Sequence, residues 1–292
     1  MVKYFILLIS GMIIYVNTID ALPQKKDPIT NSHPSALIKR TFKERKQNYV
    51  NKDLFLKGLY TELIFVNEKL ITNNKASIII NKCSYLSNKS DKIWIDSIKT
   101  SYTPQSGDRL KLIIKGGPSI MLKLDVVKNP FLGCDLYNIE EKFNFCFNGE
   151  SKVSGKLCYI IDFDQKYSSG EMLFRGKIYI DKQSFAILKM DYSMNVECRD
   201  YAYSRFFKNK PKNSEVKIIS ANYSVSYKEY NNRLVISDSD CKLKICIINK
   251  LDNTYDNYYV YNNLKISNII DSEVNESEQS FNYNDILQSF KG

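Results

Sequence analysis

The chain has 292 residues, 43% hydrophobic and 13% aromatic, enough apolar surface for a packed core and too much for a disordered polymer. Its formal net charge is +10, but most lysines stand singly among acidic and polar neighbours, and no arginine run with interleaved aromatics marks a nucleic-acid groove. One histidine, His33, lies in a polar stretch, which excludes Ser-His-Asp, Cys-His and HExxH chemistry inside the folded region.

In chain order, Met1-Val2-Lys3 is a short positive start, Tyr4 to Val16 is an apolar run, and Asn17 to Ala21 is a polar end closing on a small residue. The pattern predicts a secretory signal peptide over residues 1–21, with a run too short for a comfortable membrane span. The first cysteine is Cys83, so no lipid-modified N-terminal cysteine is expected. Residues 22–34, with three prolines, read as a linker. Ala36 to Asn48 has strong helix formers and can put Leu37, Ile38 and Phe42 on one face, as an amphipathic helix packed on a sheet does.

From Leu54 the composition turns to Ile, Phe, Tyr and Val. Leu54–Val66 and Ala76–Cys83 are predicted paired strands around a turn at Asn67–Asn74, and Lys92–Lys99 is another. Gly116-Gly117-Pro118 breaks the chain, and Pro118–Asn129 has helical spacing that ends at Pro130. Phe143, Phe145 and Phe147 alternate with polar or small partners, and strands then recur to Ile266, with hairpin turns expected at Asp181–Ser184 and Asn231-Asn232. The expected fold class is α+β, mostly β: a large twisted antiparallel sheet, open or a partial barrel, with an N-terminal helix and a helix near 118–129. A single β-rich domain spans 35–266, and 267–292 is a polar, loosely ordered tail.

Little in the sequence promises catalysis. No cysteine or histidine spacing suggests a metal, no phosphate loop follows Gly116-Gly117, and no cofactor is expected. Gly116, Gly117, Pro118, Asp125 and Lys128 are the candidate binding residues, although Asp125 and Lys128 at i and i+3 also read as a surface pair. Asp162, Asp164, Glu171 and Asp181 are the carboxylates a hydrolase would have to draw on. A hairpin turn centred near Lys152 would set Cys146 opposite Cys158, within disulfide reach.

ALIKRTFKERKQNY (36–49), LFLKGLYTE (54–62), GGP (116–118), LDVVKNP (124–130), YIIDF (159–163) and GKIYID (176–181) occur in an order that resembles a family of Bacteroidota envelope proteins. These are labelled carboxypeptidase-like regulatory-domain proteins. The likeness covers roughly residues 35 to 266 and leaves no room before Ser35 for the β-sandwich that supplies the label. Tyr60-Thr61-Glu62 stands where Tyr-Arg-Glu is typical. The resemblance implies a lipoprotein-carrier-like fold, a curved antiparallel sheet partly closed over helices, and it does not imply peptidase activity.

Together these readings predict an exported, non-catalytic protein of the periplasm or outer membrane, peripheral after signal cleavage. Its concave apolar face would bind a lipid, a lipoprotein tail or an envelope-protein segment, with the 116–128 segment covering one mouth. The alternatives are a surface module recognising protein or polysaccharide through basic and Tyr-rich faces, and a carboxylate hydrolase.

Overall fold

The computed structural model describes residues 5–9, 12–16, 33–102, 113–114, 116–166, 172–196, 206–209 and 213–270. Glu171, the tail beyond 270 and most of the expected linker lie outside these residues. The chain divides into two units, Met1–His33 and Pro34–Gly292. In the first, the apolar run folds back on itself as an antiparallel hairpin of β1 (Phe5–Ile9) and β2 (Met12–Val16).

The second unit is built on one ten-stranded antiparallel sheet. It opens with α1 (Pro34–Lys43) and α2 (Arg45–Asn48), then β3 (Leu54–Val66), β4 (Lys69–Lys82) and β5 (Lys92–Tyr102). A short β6 (Ile113–Ile114), α3 (Pro118–Lys123), a 3-10 turn (Pro130–Leu132) and α4 (Ile139–Lys142) follow. The meander then runs through β7 (Phe143–Val153), β8 (Lys156–Gln165), β9 (Phe174–Asp181), β10 (Ile187–Met194), β11 (Phe207–Asn209), β12 (Ser214–Tyr230), β13 (Arg233–Asn249) and β14 (Tyr255–Ile270). The strand order is β5-β4-β3-β14-β13-β12-β10-β9-β8-β7, an open sheet with β5 and β7 at its edges. β6 and β11 pair separately. The mostly β, open-sheet expectation holds.

Three hairpins turn on two residues with positive φ: Asn67-Glu68, Ser154-Gly155 and Asn231-Asn232. Such turns match the twist of the flanking strands, and Asn and Gly tolerate the left-handed backbone. Lys69–Asn74, expected in a turn, instead extends β4. Gly149, with φ +79, is not in a turn but beside a bulge between Phe147 and Glu150. The turn centre at Ser154-Gly155 sets Cys146 opposite Asp162 and Cys158 opposite Ser151. Cys146 is exposed and Cys158 buried, and neither is bridged, which corrects the disulfide expectation.

Register aligns the inner face across the eight strands from β8 to β4, while the edge partners Phe147 and Ile98 are exposed. Ile161, Ile178, Met190, Val225, Ser239, Leu264, Tyr60 and Ala76 form one continuous row of buried side chains, because every second residue on each strand points inward. The helices and the 124–139 connection cover part of this face. Tyr192 and Tyr227 reach from the sheet to Leu124 O and Asp125 Oδ1, at 3.5 and 2.7 Å, and Tyr49 reaches back to Ile187 O at 2.8 Å. The expected 118–129 helix is shorter, because Asp125 turns its side chain onto the backbone N–H groups of Val127 and Lys128.

Candidate functional site

Strand β4 alternates inward as Ala76, Ile78, Ile80 and then Lys82, so the pleat carries a lysine to the end of an apolar file. Its side chain is 2% exposed, and its ammonium lies 2.8 Å from Asp91 Oδ2 and 2.9 Å from Asp125 Oδ2. Asp125 is fully buried. Its Oδ1 also accepts from Tyr227 Oη at 2.7 Å and from the N–H groups of Val127 and Lys128, each at 3.2 Å. Asp91 Oδ1 accepts from Cys83 N–H at 2.9 Å. Two buried carboxylates thus share one ammonium and several hydrogen-bond donors, the arrangement burial of charge requires.

Aromatic rings close over this network. Lys82 Nζ lies 4.6 Å from the Tyr85 ring centroid, and Tyr49 packs on Tyr85 and Tyr227 with centroids 5.2 and 5.6 Å away. Burial by itself pulls the Lys82 pKa down, but Asp125 and Asp91 outweigh it and hold the group above its ordinary value. Burial, reinforced by the Asp125 charge, drives the phenols of Tyr85 and Tyr227 well up. All three stay protonated at neutral pH, so Tyr227 remains a donor to Asp125.

The network pins the 83–91 and 118–133 segments to the sheet and leaves a cleft of about 580 Å³ between them. Tyr85, Ile120, Leu122 and Leu124 supply apolar walls, while Arg45, Lys89, Lys123 and Lys128 bring positive charge. Asp91, already bound to Lys82, is the one carboxylate lining it among the described residues. Lys128 Nζ donates to Ser84 O at 2.5 Å and Ser87 O at 2.6 Å, which leaves its third proton for another acceptor. Burial, helped by the nearby Lys82 charge, lowers the Lys128 pKa. Arg45 Nη1 donates to Val127 O at 3.2 Å, and its buried Nε has no partner among the described residues. Cations over an apolar floor suit an anion carried on a hydrocarbon body.

The sequence-derived candidates divide here. Asp125 belongs to the buried network and Lys128 to the cleft, so they are not a surface pair. Gly116 lies next to Glu62, since a Cβ there would be 3.4 Å from Glu62 Oε2. Gly117, with φ +104, and Pro118 set the start of α3. Of the three described hydrolase carboxylates, Asp162 and Asp164 stand two residues apart on one face of β8 and both line a shallow hollow, whereas Asp181 lies away from them. Asp162 meets Asn148 at 2.6 Å and Lys177 at 3.8 Å, Asp164 lies 3.5 Å from Asn195, and buried Asp181 holds Ser184 Oγ at 2.6 Å. Register puts Asp162 opposite Lys177 and Asp181 opposite Cys158, a separation along the strands of about 13 Å. Among the described residues no group of three or more His, Cys, Asp or Glu side chains could hold a metal ion.

Sequence reading missed Lys82, Asp91, Tyr85 and Tyr227. A signal for Lys82 existed, a charge on the apolar parity of a strand, and the same signal marks Glu62 after Leu54, Leu56 and Tyr60. Tyr60 Oη lies between Glu62 Oε2 and Asn262 Oδ1, at 3.1 and 2.9 Å, and Asn74 Nδ2 donates to Glu62 Oε1 at 2.9 Å. Thr61 faces the other side, opposite Asn263 and Lys75.

A second hollow, about 590 Å³, crosses β7 to β12 at Gly176 and is lined by Phe163, Tyr192, Tyr223, Asp162, Lys177 and Asp191 among others. It is wide and shallow, and its charged side chains are of both signs.

No protein-family model matches the chain, and no curated protein is similar to it, so neither comparison shows the Bacteroidota family. Among solved structures the chain is similar to a DUF1329 family protein from Desulfovibrio piger, with 11% identity, 87% of this chain and 99% of that one covered, and a TM-score of 0.35. A LolA superfamily protein from Nitrosomonas europaea matches with 8% identity, 86% and 99% coverage and a TM-score of 0.32. A putative outer membrane lipoprotein-sorting protein domain from Vibrio parahaemolyticus matches with 9% identity, 87% and 97% coverage and a TM-score of 0.31. At TM-scores this low the likenesses carry no argument, and the fold rests on the strand order and register described above.

Proposed function

We propose that the chain is an exported, non-catalytic binding protein of the cell envelope, whose cleft between the 83–91 and 118–133 segments takes an anionic amphiphile. A lipid or the lipidated end of a partner has that chemistry. The observation that carries this reading is the cleft itself: Arg45, Lys89, Lys123 and Lys128 around a floor of Tyr85, Ile120, Leu122 and Leu124. The Leu124 carbonyl and the Asp125 carboxylate sit over Tyr192 and Tyr227 on the inner face of the sheet, so the ligand belongs in the cleft and not on bare sheet. Export to the periplasm or outer membrane is supported by the signal-peptide pattern of residues 1–21, and no described helix is long and apolar enough to cross a membrane.

The test is calorimetric titration with monomeric short-chain phospholipids, dihexanoyl phosphatidylglycerol against dihexanoyl phosphatidylcholine. The anionic lipid is expected to bind at least about ten-fold more tightly, a difference of about 1.4 kcal/mol. The double variant Lys89→Gln/Lys123→Gln, changed at two exposed positions, should erase that preference. Equal affinity for the two lipids, or no binding of either, contradicts the proposal.

A further inference from the structure

The outer face of the sheet is not uniform. One of its rows runs Asp162, Lys177, Asp191, Ser224, Asp240, Asn263, Thr61 and Lys75, polar throughout as a solvated face should be. Two rows further along β13, β14 and β3 the same face carries Lys244, Tyr259, Phe65 and Leu70, four residues in line across four strands. The row between them reads Lys242, Tyr261 and Leu63. Neither of these two rows contains a carboxylate. Leu70 is 42% exposed, Tyr259 37%, and Ile219, bulged out beside Lys244, 47%. Alternating strands ordinarily place polar residues at such positions, so a local apolar patch on the solvent parity calls for a partner.

The chemistry of the patch selects that partner. Lys244 Nζ lies 5.3 Å from the Tyr259 ring centroid and Lys242 Nζ 5.9 Å from that of Tyr261. In each pair the ammonium lies over the phenol ring, and Tyr261 Oη donates to Asp240 Oδ1, in the neighbouring polar row, at 2.8 Å. Tyrosine with snorkelling lysine is the pairing favoured at a bilayer interface, where one end of the side chain is dry and the other wet. Leu70 and Ile219 give no ring for a sugar to stack on but suit acyl chains. Lysines are attracted to an anionic leaflet, and the chain as a whole carries +10.

We propose that the outer face of β13, β14 and β3, centred on Lys242, Lys244, Tyr259 and Phe65, docks on the surface of an anionic lipid bilayer. This face is separate from the cleft and would hold the protein against a membrane while the cleft is free to load.

Co-sedimentation of the full chain with vesicles tests it, using phosphatidylcholine alone against a 3:1 mixture with phosphatidylglycerol. Any apolar contribution of the N-terminal hairpin is common to both, so the readout is the difference between them. The full chain should bind the anionic vesicles at least ten-fold more tightly. Lys242→Gln/Lys244→Gln should abolish the difference, Leu70→Asn/Tyr259→Ser should weaken binding to both vesicles, and thermal melting should certify that both variants fold. Lys242→Gln/Lys244→Gln should keep the parent's affinity for monomeric dihexanoyl phosphatidylglycerol, which separates the docking face from the cleft. The proposal is overturned if folded outer-face variants bind like the parent or if the parent does not distinguish the vesicles. It is also overturned if a soluble polyuronate competes away the vesicles at equal charge concentration.

Discussion

Lys82, at the end of β4, and Asp125, just past α3, meet at 2.9 Å with side chains 2% and 0% exposed. They belong to elements that share no local pattern in the sequence, and their contact fixes the cover on the sheet.

Removing the ammonium should be costly. Lys82→Met leaves two buried carboxylates without their cation, and loss of one partner from such a group costs about 3–5 kcal/mol. Urea denaturation should show that loss as a lower midpoint. The triple variant Lys82→Met/Asp91→Asn/Asp125→Asn should recover most of it, since no unpaired charge remains. If Lys82→Met melts like the parent, the network is not what pins the cover.

On the outer face, burial and the neighbouring Asp240 push the Asp238 carboxyl from 3.8 to about 6, against the opposing help of Asn263 and Lys265. The folded state therefore holds a proton that the unfolded chain has released between about pH 4 and 6. With more protons bound in the native state, unfolding free energy falls as pH rises through that window and is level above it. Asp238→Asn should be more stable than the parent at pH 7.5 by about 1 kcal/mol, discounted because the group is half exposed. The difference should close below pH 4. An unchanged pH profile in the variant would remove Asp238 as the source.

The cysteines should differ in reactivity. Cys146 is exposed, whereas burial drives the thiols of Cys158 and Cys241 up to about 11 and about 12. Alkylation at pH 7.5 under native conditions should label Cys146 well before either of the others, because the thiolate is the reactive form. Non-reducing peptide mapping should find no Cys146–Cys158 bridge. Finding one would mean that the β7–β8 register differs from the one described.

Gly176 sits where β9 passes so close to β10 that a Cβ would fall 2.6 Å from Tyr192 Cα and closer still to Asp191 O. Gly176→Ala should cost about 2–3 kcal/mol by forcing the backbones apart. Gly149→Ala, at φ +79 but with nothing within 4 Å, should cost only about 1 kcal/mol. Equal losses at both sites would show that backbone conformation, not close approach, governs Gly176.

The sheet was legible because burial on one face writes itself into the chain as alternation: β3 runs Leu54–Val66, the span its side chains suggest. Asn231-Asn232 was legible as a hairpin because asparagine accepts the positive φ the turn needs. The turn expected near Lys152 falls at Ser154-Gly155, and that displacement moved the whole Cys146–Cys158 register. The 118–129 helix was overextended because apolar spacing does not register that Asp125 has taken over the backbone donors of Val127 and Lys128. The cleft was half legible. Lys128 was marked, but Arg45, Lys89 and Lys123 are ordinary surface lysines and an arginine until folding gathers them.

Native mass spectrometry of the full chain, purified gently from the envelope fraction of a bacterial host, tests the binding reading most directly. A bound mass of phospholipid or lipopeptide size is expected on the parent, and Lys89→Gln/Lys123→Gln should come off largely empty. An apo mass for the parent, or the same bound mass on both proteins, would contradict a cleft built for an anionic amphiphile.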